Sequence, residues 1–334
     1  MAEIVLGMWT SHGPTLSTTP EQWTLRVSAD LKRKHPFRGE EYSFEELVSC
    51  AAARSWRRPV PFPSASDARP GAKVPSPTWP TFAAAKIDVA VIMGNDQREL
   101  FLEDVTPAIT VYLGETIWDQ PATPEQAARM PPGIHEAEWG IARPSAGTIP
   151  ASPSSACMCA KRWCRRLRSG GLQDTARARR PLVERRAHSL GFIYRQIIRD
   201  QVVPNLPIII NTFFPPNQPT ARRCFELGRA VGKAIRSWKE DLPVAVFGSG
   251  GMSHFVIDED FDRMFFEALR NRDAETLCAI EDKHLQSGTS ELKTWIAAAG
   301  ALFDTDLKGD VVGYEPCYRS EAGTGTANGF VAWQ

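Results

Sequence analysis

The chain has 334 residues with 43% hydrophobic content, and its 39 Lys+Arg balance 39 Asp+Glu to a formal charge of zero. That length can bury one large core or two smaller ones. The charge balance excludes an electrostatic drive toward nucleic acid or an anionic membrane, so partners have to be argued from individual sites. No apolar run approaches the ~18 residues of a membrane span. The opening MAEIVLGMW enters a strand without a basic region or cleavage site, so the expectation is a cytoplasmic protein without a signal peptide. Seven cysteines, an odd count without framework spacing, read as reduced thiols.

Ile4–Met8 is the first predicted strand, and it ends at Ser11-His12-Gly13-Pro14. The Gly-Pro turn fixes the backbone beside His12, which makes that histidine a candidate ligand or base. His35, in KRKHPFR, is expected on a solvated turn, from which it is only a remote candidate for a metal. Glu40–Ala53 is expected to be helical. Arg54–Pro80, with seven prolines, shows neither a period of 2 nor one of 3.6. Periodicity resumes with a helix end at Phe82–Lys86. The run IDVAVIM, residues 87–93, then has the continuous apolar character of a parallel strand buried on both faces, and it ends at the polar cluster Gly94-Asn95-Asp96-Gln97.

Ala108–Leu113 is a further predicted strand and Thr123–Met130 a short helix capped by Thr123. His135 and His284 are assigned to the surface. Arg143–Arg186 breaks the pattern again: between residues 151 and 187 Lys and Arg outnumber acids ten to two. A basic loop for an anionic partner and a solvated insertion are two readings of it. The favoured third is that both irregular stretches carry the Arg/Pro/Ser/Cys bias of high-GC DNA read out of frame. Cys157 and Cys159, with Cys164 nearby, could form a soft-metal cluster, but the stretch offers no partner histidine.

From His188 onward the pattern is regular. Gly191–Ile198 leads to a strand at Leu206–Phe214, and Thr220–Trp238 is an amphipathic helix. Val244–Phe247 is a buried strand, and the turn Gly248-Ser249-Gly250-Gly251 delivers His254 just past its end, where open α/β sheets place their chemistry. Helices are expected at Asp258–Arg270, Asp273–His284 and Ser290–Phe303. The glycine-rich tail, residues 313–326, reads as a lid or wall over a site. Alternating strands and helices predict a layered α/β fold: one domain over 1–334, a central mostly parallel or mixed sheet flanked by helices, and a cleft at the strand ends.

Ser11-His12-Gly13-Pro14, the strand ending in Asn95-Asp96, the run PPNQPTARRCFELGRAVGKAI leading to SGGMSH, and the helix start GTSELKTWI together resemble the class III extradiol ring-cleavage dioxygenases. The resemblance is to the group of the catalytic (β) subunit of protocatechuate 4,5-dioxygenase and its gallate-cleaving relatives, over roughly residues 1–48, 82–142 and 188–334. It implies a non-haem Fe(II) held by two histidines and a carboxylate, a catecholic acid such as protocatechuate or gallate as substrate, and O₂ as co-substrate. A homodimer or a small accessory subunit is the implied assembly, with no nucleic-acid or membrane partner.

Carried over by position, His12 and Glu291 are metal ligands. Gln97 stands where the family pattern Asn-Asp-His has its second histidine, and an amide oxygen is a weaker, neutral ligand. His254 is the catalytic acid/base, His188 the supporting histidine beside the substrate hydroxyls. Arg319, Tyr318 and Thr324 are candidate partners for the substrate carboxylate. Two other readings stand beside this one. The first is a catalytically decayed relative with an incomplete metal site and a binding or subunit role. The second is a metal-dependent enzyme in which His12, Gln97 and Glu291 hold a Lewis-acidic ion without oxygen chemistry.

Overall fold

The computed structural model describes residues 1–52, 78–112, 114–151, 171–172, 187–201 and 203–334. Most of the two irregular stretches, with Cys157, Cys159 and Cys164, lies outside the described residues. In chain order the strands are β1 (Glu3–Thr10), β2 (His35–Phe37), β3 (Glu40–Tyr42), β4 (Val89–Asn95), β5 (Ile109–Tyr112), β6 (Thr116–Asp119), β7 (Gly147–Pro150), β8 (Gly171–Leu172), β9 (Asn205–Ile210), β10 (Pro243–Ser249), β11 (His254–Val256), β12 (Gly309–Tyr318) and β13 (Thr324–Trp333).

The order across the main sheet is β11-β13-β1-β10-β4-β9-β5-β8, with β12 added on β13. Strands β1, β10, β4 and β9 form a parallel block. Strand β13 joins antiparallel to β1, and β5 antiparallel to β9, so the sheet is mixed, as expected. Side chains alternate across it with period 2. Val89, Val91 and Met93 of β4, with Val244 and Val246 of β10, enter one core, whereas Ala90, Ile92, Ala245 and Phe247 enter the other. Both faces are apolar, which is why these strands read as unbroken hydrophobic runs.

Helices Ala221–Ile235 and Leu292–Leu302 cover the first face, contributing Phe225, Leu227, Val231, Trp295 and Ile296. The second face is covered by Thr78–Ala85 and by the helical segment His188–Ile197, through Phe82, Leu190, Phe192 and Ile193. Thr123 and Asp273 cap their helices through their side chains, as the sequence predicts, and Thr220 and Asp258 do the same. No helix among the described residues is long and apolar enough to cross a membrane.

Three expectations are corrected. The tail is a wall and not a lid: β12 and β13 form a hairpin, β13 is buried along its whole length with its end paired to β1, and Arg319 and Thr326 line the cavity described below. Its glycines serve close packing, since a Cβ at Gly329 would lie 2.8 Å from Phe266 and 2.9 Å from Met252. Glu40–Tyr42 is a strand paired with His35–Phe37, and the helix begins only at Phe44. The helix expected over Asp273–His284 spans Ala274–Ala279, because Ile280 turns to extended backbone.

Candidate metal and active site

Parallel pairing aligns the carboxyl ends of β1, β10 and β4, with Thr10 opposite Ser249 and Gly248 opposite Met93. His12, Gly251 and Gln97 each follow one of these three ends by two residues. Two helices from opposite faces of the sheet meet the same edge. His188 opens one of them, and Glu291 directly precedes the other. A carboxylate there is favoured by the helix macrodipole.

His12, His188 and Glu291 each bring one ligand atom into a group whose members lie within 4.8 Å of one another. Nε2 of His12 is 3.0 Å from Oε2 of Glu291 and 3.1 Å from Nε2 of His188. The partners of the other ring nitrogens settle which of these atoms carries a proton. Ser249 Oγ donates to the Ser189 carbonyl at 2.7 Å, so toward Nδ1 of His12, 3.0 Å away, it can only accept. His12 therefore carries its proton on Nδ1 and presents the Nε2 lone pair to the cluster. Nδ1 of His188 donates to Glu99 at 2.7 Å, and Nδ1 of His254 to the Met252 carbonyl at 2.7 Å. All three imidazoles thus turn Nε2 toward Glu291, each held by an acceptor behind it, as metal-binding histidines are.

Burial pushes the His12 pKa down, against the pull of Glu291. Burial opposes charge on His188 as well, but the Glu99 and Glu291 carboxylates outweigh it and raise that pKa to about 9. A proton on His188 Nε2 then donates to the His12 lone pair and occupies the space between the ligand atoms. Burial disfavours the Glu291 anion too, yet the surrounding histidines hold its carboxyl well below the ordinary range. Lone pairs and a carboxylate converging on one point, bridged by a proton, form a donor set that fits a divalent cation.

Glu291 is also fixed by neutral donors. Gly251 N donates to Oε2 at 2.8 Å, while Asn95 Nδ2 at 3.1 Å and Gln97 Nε2 at 2.9 Å donate to Oε1. A carboxylate can only accept, so the Gln97 amide must turn its NH₂ group to it. The sequence assigns Gln97 to the metal; in the structure its amide orients Glu291, and His188 stands with His12 and Glu291 instead. Asp96 accepts from the backbone of Arg98, Leu100 and Phe101 and so ties down the loop that carries Gln97 and Glu99. Burial, with the neighbouring Glu99 charge, pushes the Asp96 carboxyl up.

Nε2 of His254 lies 3.7 Å from Oε2 of Glu291. Its ring is held between two glycines: a Cβ on Gly251 would approach it to 2.2 Å and one on Gly288 to 2.0 Å. This is the physical reason for the second glycine of SGGMSH. His12, His188, His254 and Glu291 line a cavity of about 200 Å³ whose remaining walls include Trp23, Ile134 and Phe255.

The expected carboxylate partners fare differently. Arg319 lines this cavity, but its Nε and Nη2 donate to Asp30 at 2.6 and 2.8 Å. Thr324 also donates to Asp30, and the Tyr318 hydroxyl donates to Glu259; neither residue lines the cavity. His35 is not on a solvated turn: it is buried in β2 with Nε2 on the Asp30 carbonyl. His135 is exposed, and His284 stacks on Phe261. The sequence reading places Asn95 and Ser249 in the strand-end clusters but assigns them no role at the site, and it passes over Glu99, which lies four residues beyond the end of β4 in the loop that carries Gln97.

Residues 190–325 match the family model for the catalytic LigB subunit of aromatic ring-opening dioxygenase. Gallate dioxygenase of Pseudomonas putida is 36% identical over 94 residues, covering 25% of this chain and 28% of that protein. The 2,3-dihydroxyphenylpropionate/2,3-dihydroxicinnamic acid 1,2-dioxygenase of Photorhabdus laumondii is 48% identical over 54 residues, 16% of each chain. The matched segments thus span less than a third of either relative. A solved structure of an uncharacterized protein from Escherichia coli K12 aligns over 98% of this chain and 99% of that one, with 12% identity and a TM-score of 0.43. The resemblance to class III extradiol dioxygenases read from the sequence is borne out by the family and sequence matches, and the family segment contains His254 and Glu291.

Proposed function

We propose that this chain, with its LigB-type segment over residues 190–325, is an Fe(II)-dependent extradiol dioxygenase that opens the ring of a catecholic acid. The observation that carries the proposal is the convergence of His12, His188 and Glu291 at the strand ends of a chain matching that family. Two histidines and one carboxylate are the ligand set of non-haem Fe(II) oxygenases. His12 and His188 would hold the ion through Nε2, and Glu291 through its carboxylate. Bound Fe(II) would supply the electronic relay that lets ground-state O₂ react with a singlet catechol.

The residues of the chain do the rest. His254, with Nδ1–H committed to the Met252 carbonyl, offers Nε2 as the base that takes a proton from a catechol hydroxyl and later returns it. Thr289 Oγ1 accepts from His254 N at 3.0 Å and donates to His254 O at 2.9 Å, which keeps that ring from drifting. Trp23, Ile134 and Phe255 give the ring of the substrate an apolar wall and limit water. Cys224 and Cys278 are free thiols, which supports a reducing, cytoplasmic setting. The test is oxygen uptake with protocatechuate and with gallate after anaerobic Fe(II) loading. Uptake coupled to formation of a ring-opened product is expected; Fe(II) bound without uptake on either catechol would leave a decayed relative or a metal enzyme that does not use oxygen.

A further inference from the structure

Among the described residues, one cation of the cavity has no counter-ion. Arg26 is buried at 7% exposure and lines the same cavity as the histidine cluster. Its stem packs beside Gly133, where a Cβ would come within 3.2 Å of Arg26 Cγ and Cδ. Among the described residues its side chain makes no ion pair, and Nη1 is buried without a hydrogen-bond partner. The nearby acid is already committed: Asp30 spends both oxygens on Arg319 and one of them also on Thr324. Arg319 in turn keeps Nη1 buried and unpartnered, with its guanidinium 4.7 Å over the Trp23 ring. Among the described residues two guanidinium groups therefore share one carboxylate, and one positive charge remains uncompensated beside the cavity.

A buried, unpaired charge is costly, and folding seldom retains one unless something repays it. Burial, with Arg319 and Arg33 close by, pushes the Arg26 pKa down to about 10, so the group is still charged at neutral pH. An anion entering the cavity would relieve that stress. The planar fork of a guanidinium suits a carboxylate, which can accept two parallel N–H bonds.

We propose that Arg26, with the free Nη1 of Arg319, binds the carboxylate of the aromatic substrate and makes the cavity select anionic over neutral catechols. The identity of the ring rests on the ring-cleavage reading above; the charge of the ligand does not. Arg26 would be a residue for binding and specificity, apart from the metal and proton-transfer chemistry.

The test compares protocatechuate with 3,4-dihydroxybenzamide, which keeps the ring and both hydroxyls but is neutral. Binding to the metal-free protein is measured by calorimetry, and KM and kcat for oxygen uptake are measured on the Fe(II)-loaded protein. The wild type should prefer the acid by about 10- to 100-fold, the range of one charge-assisted hydrogen bond or slightly more. Arg26→Met should reduce that preference to about threefold or less while leaving amide binding unchanged, and Arg26→Lys should restore part of it. Thermal unfolding of Arg26→Met should occur no lower than that of the wild type, because the substitution removes an unpaired charge; a purely structural role would lower it. The proposal is overturned if the wild type binds both ligands equally, if Arg26→Met keeps the preference for the acid, or if it loses both ligands alike. Charge-selective binding that depends on Arg26, without oxygen uptake on any catechol, would end the ring-cleavage reading and leave the anion subsite standing. Uptake with an unchanged acid preference in Arg26→Met would do the reverse.

Discussion

Nδ1 of His188 lies 2.7 Å from Oε1 of Glu99, and this contact decides that Nε2 is the nitrogen His188 turns toward His12 and Glu291. Glu99 is itself held by the Gln97 backbone N–H, which donates to its Oε2 at 2.8 Å. Removing the carboxylate should free the ring to rotate and lower the basicity of the ligand. Glu99→Ala is therefore expected to weaken divalent-metal binding by about 10- to 100-fold, the usual cost of losing such a supporting partner. Because the metal must displace the proton of a histidine whose pKa is about 9, wild-type affinity should climb with pH between 7 and 9. That climb should flatten in Glu99→Ala. Calorimetric titration with Fe(II) or Co(II) under anaerobic conditions at several pH values reads both effects; an unchanged affinity would remove Glu99 from the site.

His188 and Gln97 make opposite predictions about the third ligand. If His188 holds the metal, His188→Gln should cost more than the roughly 10- to 100-fold of an outer partner. Gln97→His, which adds an imidazole where the sequence resemblance expects one, should then change affinity little, since the third position is filled. A large gain in metal affinity or oxygen uptake on Gln97→His would show instead that Gln97 marks a vacant ligand position and that His188 plays the supporting role the sequence alone suggests.

How far the sequence discloses these positions depends on whether the responsible force is local. Strands β4 and β10 are legible because burial on both faces leaves an unbroken apolar run, and their polar ends announce the cleft. Strand β13 is buried just as deeply, yet its glycines mimic a loop; the packing against Phe266 and Met252 that requires Gly329 comes from distant segments. His12 and Glu291 were assigned through neighbouring motif residues. The resemblance brought His188 to the site as a supporting histidine; its place among the ligand atoms was not legible, since it depends on a helix from the other face of the sheet meeting the same edge. Arg26 had no motif at all: its significance is that its Nη1 finds no partner among the described residues, which only the tertiary structure reveals.

The glycines on either side of His254 offer a test that leaves every ligand untouched. In Gly288→Ala the new methyl group would fall 2.0 Å from a carbon of the His254 ring, so the ring must move. Overpacking of this kind costs about 1–3 kcal/mol of stability. Losing a positioned acid/base costs about 10²- to 10⁴-fold in rate. The expected result is a folded protein with near-normal Fe(II) affinity and kcat reduced within that range. Steady-state oxygen uptake combined with metal titration would check it, and full activity in Gly288→Ala would rule out His254 as the proton-transfer group.

The buried pair of Asp30 and Arg319 predicts how stability responds to acid. Their side chains are 1% and 0% exposed, with Nε to Oδ2 at 2.6 Å. Burial disfavours the Asp30 anion, but the hydrogen bond and charge of Arg319, helped by Thr324, outweigh it and hold the pKa below its ordinary value of 3.8. A carboxylate depressed in this way stabilises the folded chain fully above its unfolded pKa, and that stability is lost as pH falls through the lower folded pKa. Asp30→Asn keeps the shape but leaves the Arg319 charge buried and unpaired beside that of Arg26. It should cost about 3–5 kcal/mol at neutral pH, the range for breaking a buried pair from one side. Urea unfolding of both proteins from pH 7 down to pH 2 should show this gap narrowing only below about pH 4, as the wild type itself loses the Asp30 charge. A gap that is absent at pH 7, or that does not change with acid, would mean that the pair does not stabilise the wall of the cavity.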